Sequence, residues 1–565
     1  MKKKILLGLL PFWDPQIPPL GLACIKSYLQ HHGWQVKAVD ANLEIQFREL
    51  YDQYYKILAE FVPNDHQGNL FNIGNQVLRN HLMIHFNAST TGKRDQKYRE
   101  LVRVLVEKTF FTYINEGFID ALDNIIGQFY PRLKSYVLEM LEREQPEVLG
   151  LSVYGDTFPA SLAAFHWAKK WNPSIQTVMG GGIFADQLAP GSLNLDYFVQ
   201  RTHTVIDKII IGEGEVLMLE LLQGSLNPAR KIYSLKDIQG KYMNLAGAVV
   251  PDFSDFDLGY YPHLAHYGAR SCPFQCKFCS ETINWGKYRK KNVNQTVQEL
   301  IRLQRRYSYQ LFLLTDSSLN PIISELSRAF IEAGVTIYWD GFLRADRHAC
   351  STENTMLWRK GGFYRAKLGL ESGSQRMLDL MNKRITTAQS RETLAALAYA
   401  GIKTTTFWLL GFPGETEQDF QETLDFIEAC KDYIYEADCN AFNYYLTGQA
   451  NSRDWQKNNR GVLLYPEWAT ELLLSQTWIL DCHPSREIAY QRLNRFIRHC
   501  QKLGIPNPYS LKDVFQADER WKNLHKNAVP SIMTLKNTDT YVDENRHVKT
   551  LAFAENKVKD EGDWF

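Results

Sequence analysis

Excess charge of either sign is missing from this chain. Lys and Arg number 64 and Asp and Glu 63 in 565 residues, a formal net charge of +1. The composition therefore gives no case for a nucleic-acid or anionic-membrane partner. One short basic run, Tyr288 to Lys291, reads first as a solvated loop. Long hydrophobic runs are missing too, so no stretch is expected to span a bilayer. The start, Met1 to Asp14, has an apolar segment behind its lysines. That segment stops at Pro11 and offers no small-residue cleavage site, so it reads as a buried strand rather than a leader. Cysteine is sparse, nine in all. Cys24, Cys350, Cys430, Cys439, Cys482 and Cys500 follow no framework spacing and read as thiols of a reducing, cytoplasmic compartment.

The other three cysteines lie together. Cys272, Cys276 and Cys279 form C-x3-C-x2-C, with Phe278 just before the last. A structural zinc site needs four N or S ligands, commonly as two pairs. No second Cys pair appears in the chain, and no H-x3-5-H lies downstream of the trio. The spacing also differs from ferredoxin runs, which supply four cysteines per cluster. Three thiolates can instead hold three irons of a [4Fe–4S] cluster and leave the fourth iron open for chemistry.

Around this loop the chain alternates strand and helix. Lys4 to Leu10 reads as a strand, Gly21 to His32 as a helix ended by Gly33, and Trp34 to Val39 as a second strand. Residues 43–145 interrupt the rhythm with aromatic-rich helical sequence and are expected as an insertion. Strands resume at Val148, Thr177 and Lys208, predicting a doubly wound parallel sheet whose ligand sits at the strands' carboxyl ends. Small-residue turns fall at those ends: Ser152 to Thr157, Gly180 to Gly182, and Gly212 to Gly214. Such glycines admit a large ligand closely, and they are also common in βα turns. Residues 236–263 read as a linker. A second βα series follows, with strands at Gln310–Thr315, Thr336–Phe342, Ala366–Leu370, Thr404–Leu410 and Asp438–Tyr445. From 446 the pattern turns helical, at Pro466–Leu480 and Ser485–Cys500.

The cysteine segment resembles the signature of the radical S-adenosylmethionine (radical SAM) superfamily. The resemblance implies that SAM chelates the open iron and is cleaved reductively to a 5′-deoxyadenosyl radical, with an electron donor such as flavodoxin or ferredoxin. It also implies a partial (β/α)6 barrel over residues 264–445. Gly369-Leu-Glu-Ser resembles the superfamily's Gly-x-Glu-Ser motif, which places Glu371 and Ser372 near SAM. Ser372 could equally cap the next helix. Arg344 could clamp the SAM carboxylate as a fork and Lys383 as a point charge, or each could be a surface ion pair. Asp316 ends a strand at the same mouth, and Phe278 would pack near the adenine. Gly411-Phe-Pro-Gly-Glu-Thr resembles the fifth-strand motif that lines the adenine, although Glu415 fits a helix start better.

Residues 1–235 resemble the cobalamin-binding domain fused to many radical SAM proteins. The ordered set is Pro-Pro-Leu-Gly-Leu after the first strand, Leu-Ser-Val-Tyr, Met-Gly-Gly-Gly and Ile-Gly-Glu-Gly-Glu. By this resemblance Ser152, Tyr154, Gly181, Gly182, Gly212 and Gly214 face cobalamin. The D-x-H-x-x-G motif is absent, as is common in this subfamily, which leaves the lower cobalt ligand open. The implied architecture is α/β: a doubly wound Rossmann-like domain, a linker, the partial barrel, and a helical region at 446–565. The implied function is methyl transfer from methylcobalamin to an unactivated carbon of a peptide or small natural product. The cysteine flanks and the insertion look most like enzymes that methylate ribosomally made peptides. Rearrangement, ring contraction, cyclisation or oxidation without methyl transfer stays open, as does a non-catalytic sensor.

Overall fold

The computed structural model describes residues 3–91, 96–446, 448 and 460–537. The chain divides into two units. One comprises Met1–Tyr261, Cys279–Gly286 and Asn443–Asp481; the other comprises Pro262–Phe278, Lys287–Phe442 and Cys482–Phe565.

The first unit begins with β1 (Lys4–Leu9), α1 (Leu20–His31) and β2 (Gln35–Asp40). Gly33 takes φ 79°, the left-handed conformation that lets the chain leave α1. Helices α2 (Ile45–Phe61), α3 (Asn64–Gln67), α4 (Leu70–Thr91), α5 (Gln96–Phe110) and α6 (Glu116–Glu144) fill the expected insertion. On α2 the buried Phe47, Leu50, Tyr54, Tyr55 and Leu58 recur at helical spacing and make one apolar stripe. The alternation resumes with β3 (Val148–Ser152), α7 (Phe158–Trp171), β4 (Gln176–Gly180), α8 (Leu193–Arg201), β5 (Lys208–Ile211), α9 (Gly214–Gln223) and β6 (Ile232–Ser234). The six strands run in the order β2-β1-β3-β4-β5-β6, and every pair is parallel. The order reverses between β1 and β3, which sets the ligand crevice at their carboxyl ends. Past β6, buried Lys26 on α1 holds Asp255 at 2.7 Å and Asp252 at 3.6 Å.

One expected helix is not formed. Pro466–Leu480 holds a 3-10 turn, Glu467–Ala469, and one α-helical turn, Thr470–Leu473, which ends where Leu474 turns left-handed at φ 59°. Trp478–Asp481 then pairs antiparallel with Arg460–Leu463. Asn194 fixes the approach to that strand, accepting from the Gln476 N–H and donating to the Gln476 carbonyl, both at 2.9 Å. Leu472 and Leu473 pack with Ile84, Leu101 and Leu105 of the insertion. An apolar run this short fits either period, and tertiary contacts decide it.

The second βα series starts at β7 (Leu264–His266) and β8 (Ala269–Arg270). Helix α10 (Glu281–Trp285) follows and groups with the first unit. Then come β9 (Arg289–Lys290), α11 (Val293–Tyr307), β10 (Leu311–Leu314), α12 (Ile323–Glu332), β11 (Tyr338–Leu343), α13 (Thr352–Lys360) and β12 (Phe363–Glu371). The series ends with α14 (Gln375–Leu380), α15 (Thr387–Tyr399), β13 (Lys403–Leu410), α16 (Glu417–Cys430) and β14 (Glu436–Ala441). Its six parallel strands lie in the order β14-β13-β12-β11-β10-β7, the sheet of a partial barrel. Burial alternates along the strands. Residues 364, 366, 368 and 370 of β12 are fully covered, whereas Arg365, Lys367 and Gly369 are partly open and line the inner wall. Helix Arg486–Lys502 packs against β13 through Phe496 and Trp408. Val529 and Leu535 pack with Leu311 and Tyr364.

Candidate functional site

Cys272, Cys276 and Cys279 follow β8 on one loop, and all are free thiols. The stem of that loop is the antiparallel pairing of β8 with β9. Asp316, two residues past β10, fixes the stem by accepting the Gly268 N–H at 2.9 Å. Burial pushes its carboxyl up to about 7, against the lowering pull of the Gly268 and Ala269 N–H groups. The turn after α14 clasps the loop from another side. Lys277 N–H donates to the Met381 carbonyl at 2.9 Å, and Asn382 Nδ2 donates to the Gln275 carbonyl at 2.8 Å. Two donors meet the sulfurs: Arg344 Nη1 reaches Cys276 Sγ at 3.4 Å, and Glu281 N–H reaches Cys279 Sγ at 3.5 Å. Among the described residues, no three of His, Cys, Asp and Glu converge as a single-ion site would require. A cubane cluster instead spreads its thiolates over separate corners.

Arg344 leaves the end of β11 and is buried beside the loop, its guanidinium 4.1 Å over the Phe274 ring. Asn320 braces it: Oδ1 accepts the Arg344 N–H at 2.8 Å, and Nδ2 donates to the Arg344 carbonyl at 2.9 Å. One guanidinium nitrogen, Nη2, is buried with no hydrogen-bond partner among the described residues. A buried orphan donor is costly, and a carboxylate would satisfy it.

Glu371 and Lys383 meet at 2.6 Å, both buried, and the Lys383 ammonium lies 5.5 Å from the Phe278 ring centre. Glu371 itself takes φ 68°, at a register shift in the β12–β13 pairing. A bulge of this kind re-aims a side chain at a strand end. The pair sits over Gly369, where a Cβ would come within 2.6 Å of Glu371 Oε1 and 3.0 Å of Lys383 Nζ. Ser372 is placed differently. Its hydroxyl lies 3.1 Å from the Thr423 hydroxyl and accepts the Ser374 N–H at 3.1 Å, bracing the start of α14. Glu415 is buried one residue before the Thr416 cap of α16, where it accepts the Gly411 N–H at 2.8 Å and pairs with Arg492 at 2.7 Å.

Phe274, Asn320 and Gly369 were not singled out from the sequence. Phe274 lies inside the cysteine spacing and Gly369 opens the Gly-x-Glu-Ser segment, so both were within reach. Asn320 carried no sequence signal, because only folding brings it to Arg344.

The first unit presents a separate cluster at its switch point. The Tyr154 ring lies 4.4 Å from Trp13, which follows β1 and is 39% exposed. Burial raises the Tyr154 phenol, while a hydrogen bond with Ser152 lowers it. The ring also covers Gly182, whose added Cβ would sit 2.7 Å from Tyr154 Cε1. A Cβ on Gly181 would meet the Val153 backbone at 2.4 Å, and one on Gly214 would meet the Ile25 side chain at 2.9 Å. Gly212 takes φ 98°. Packing or backbone conformation thus accounts for these four glycines. Gly180 differs: a Cβ there would make only an ordinary van der Waals contact, 3.6 Å from the Ile210 carbonyl, so neither a clash nor a positive φ requires glycine.

Residues 267–427 match the family model described as Radical SAM superfamily and form a radical SAM domain. Among curated proteins, the chain is similar to an anaerobic magnesium-protoporphyrin IX monomethyl ester cyclase of Rubrivivax gelatinosus, at 26% identity over 55% of this chain and 58% of that protein. It is also similar to an uncharacterized methyltransferase of Pyrococcus horikoshii, at 23% identity over 52% of this chain and 66% of that one. The matched stretches thus span under two thirds of either relative. Among solved structures, TsrM from Kitasatospora setae, a radical S-adenosylmethionine methyltransferase with cobalamin and a [4Fe-4S] cluster bound, matches 98% of this chain and 100% of its own, with TM-score 0.54 and 12% identity. OxsB, a cobalamin-dependent S-adenosylmethionine radical enzyme, matches 99% of this chain and 62% of its own, with TM-score 0.50 and 14% identity. At such identities the likeness to both structures is one of fold.

Proposed function

With a radical SAM domain over residues 267–427, we propose that the chain cleaves SAM at a [4Fe–4S] cluster and transfers a methyl group from cobalamin to an unactivated carbon. When bound, the cluster supplies the electron that splits SAM, and cobalamin supplies the methyl group. Arg344 is the observation that carries the first half. Its buried guanidinium touches one cluster cysteine and keeps Nη2 without a partner among the described residues, a geometry suited to the SAM carboxylate.

Each residue then has a part. Cys272, Cys276 and Cys279 hold the cluster. Arg344 orients SAM and offsets negative charge beside Cys276. Glu371 accepts from the SAM ammonium, and Lys383 holds that carboxylate in place. Phe278 gives the adenine an apolar wall. Asp316 and Asn382 fix the loop at its two sides, because a loop that shifts by an ångström loses alignment with the reacting atoms. On the first unit, the strand end at Gly180 and the partly exposed Trp13–Tyr154 pair suit a broad, flat ligand. The loop after β1, Leu10 to Pro19, contains no histidine, so it offers cobalt no imidazole. The molecule methylated is read as a peptide or small natural product, and a flavodoxin- or ferredoxin-type protein as the electron donor.

A cyclase among the relatives supports a second outcome, oxidation or ring closure without methyl transfer. Anaerobically reconstituted protein, given SAM, cobalamin and a reductant, separates the readings. Release of 5′-deoxyadenosine with a product heavier by one methylene supports methyl transfer. Release with substrate consumed and no such gain supports the second outcome. No release from protein with an intact cluster defeats both.

A further inference from the structure

One carboxylate on the inner wall of the second unit has no cation among the groups that act on it. Below the Glu371–Lys383 pair, the inward positions of β11 to β14 hold Asp340, Arg365, Lys367, Lys403, Glu436 and Asp438. Arg365 Nε and Nη2 donate to Asp340 Oδ2 at 2.8 and 2.6 Å. Arg365 and Lys367 both act on Asp340 and on Glu436, and Glu436 also accepts the Thr405 hydroxyl at 2.6 Å. Lys403 pairs with Asp518. Asp518 lies on the helix Leu511–Leu524, and His263 also acts on Asp340; Asp340 and Glu436 thus have cations acting on them.

Asp438 is the carboxylate left over. The groups acting on it are the Tyr509 hydroxyl, 3.0 Å from Oδ1, and Glu436, which repels it. Burial is the larger influence and pushes its carboxyl up to about 6, consistent with a carboxylate that no cation compensates. Asp438 is only partly covered, and its second oxygen makes no hydrogen bond among the described residues.

Its place is specific. In the strand register Asp438 pairs with Phe407, and Phe407 pairs with Gly369. Gly369 is the seat of the Glu371–Lys383 pair. Phe407 stands 6.0 Å from Phe342, which is 38% exposed on the same wall. An ionisable group, two apolar rings and the inferred SAM-binding pair thus share one side of the sheet.

We propose that the molecule acted on in this barrel presents a cationic amine to Asp438 and rests its apolar body on Phe342 and Phe407. This deepens the radical SAM reading and rests on it for the location of the chemistry. An ammonium at Asp438 Oδ2 would make a charge-assisted hydrogen bond and supply a cation to Asp438. A carboxylate in its place would meet Asp438 and Glu436 as like charges.

Full-length reconstituted protein with SAM bound can be titrated anaerobically by calorimetry with benzylamine, benzyl alcohol and benzoate. Benzylamine is expected to bind at least about tenfold more tightly than the alcohol, the ratio that a charge-assisted bond supplies. Asp438→Asn should erase that ratio, and Tyr509→Phe, which keeps the carboxylate, should preserve it. Equal affinities for amine and alcohol, a preference for benzoate, or no binding of any probe would overturn the proposal. Deoxyadenosine release by the same preparation is scored separately. Release without an amine preference defeats this proposal alone, whereas no release from an intact cluster defeats the reading beneath it.

Discussion

Arg344 shows how much one side chain can combine. Its backbone is held by Asn320, its guanidinium faces Phe274, one nitrogen meets Cys276 Sγ, and another has no partner among the described residues. Lysine keeps the charge but loses the fork that reaches two acceptors at once. Arg344→Lys is therefore expected to weaken SAM binding by about 1.5–3 kcal/mol, roughly tenfold or more. Equilibrium dialysis against labelled SAM would read this directly, with iron content unchanged. A variant binding SAM as tightly as the parent would remove Arg344 from the site. The residues that sequence could find here carry their chemistry in their type: three cysteines at fixed spacing, an arginine and a glutamate at strand ends, and a lysine in the turn after α14. Gly369 acts through the side chain it lacks, and Asn320 through a bond between residues far apart in the chain, so neither announced itself.

At the scale of elements, the insertion is tied together by a buried polar knot. His81 Nδ1 lies 3.1 Å from the Tyr54 hydroxyl, and His81 Nε2 lies 3.1 Å from the Tyr98 hydroxyl. His85 Nδ1 lies 3.2 Å from that same hydroxyl, which also donates to Asp123. Tyr98 on α5 thereby joins α4 to α6. Tyr98→Phe leaves the ring and removes one hydroxyl contact each from His81, His85 and Asp123, a cost of about 1–3 kcal/mol. Faster hydrogen exchange confined to α4, α5 and α6 would show it; unchanged exchange would make the knot incidental. The pH dependence has a definite sign. Burial pushes the Asp123 carboxyl up, but bonds from His81, His85 and Tyr98 outweigh it and hold the group well below the usual carboxylate range. Its contribution is present above about pH 4 and is lost as pH falls below that value. Asp123→Asn should flatten this acid loss in the same exchange experiment. The helices around the knot were legible because aromatic stripes such as that of α2 repeat over several turns. The hairpin at 460–481 was not, since an Asn194 side chain from a distant helix sets its path.

At the scale of the whole molecule, fold and chemistry separate. The chain matches TsrM over 98% of its length at 12% identity, so the architecture tolerates nearly complete replacement of its residues. What such a fold does is decided at its sites. If the two cofactors are held by separate sets of residues, their binding should come apart by mutation. Gly180 offers a clean test of the first unit. A Cβ there meets no described atom nearer than 3.6 Å, whereas one on Gly181, Gly182 or Gly214 would clash with its own fold. Gly180→Leu should therefore fold, fill the strand end and abolish corrin uptake, with iron and sulfide content at the parental level. The triple change Cys272→Ala, Cys276→Ala, Cys279→Ala should do the reverse, losing the cluster absorption while keeping the corrin bands. Absorption spectra of both variants, reconstituted side by side with iron, sulfide and cobalamin, read the two losses in one experiment. If Gly180→Leu takes up the corrin at the parental level, the ligand does not sit at that strand end. Loss of both cofactors in either variant would mean that those sets do not bind them independently.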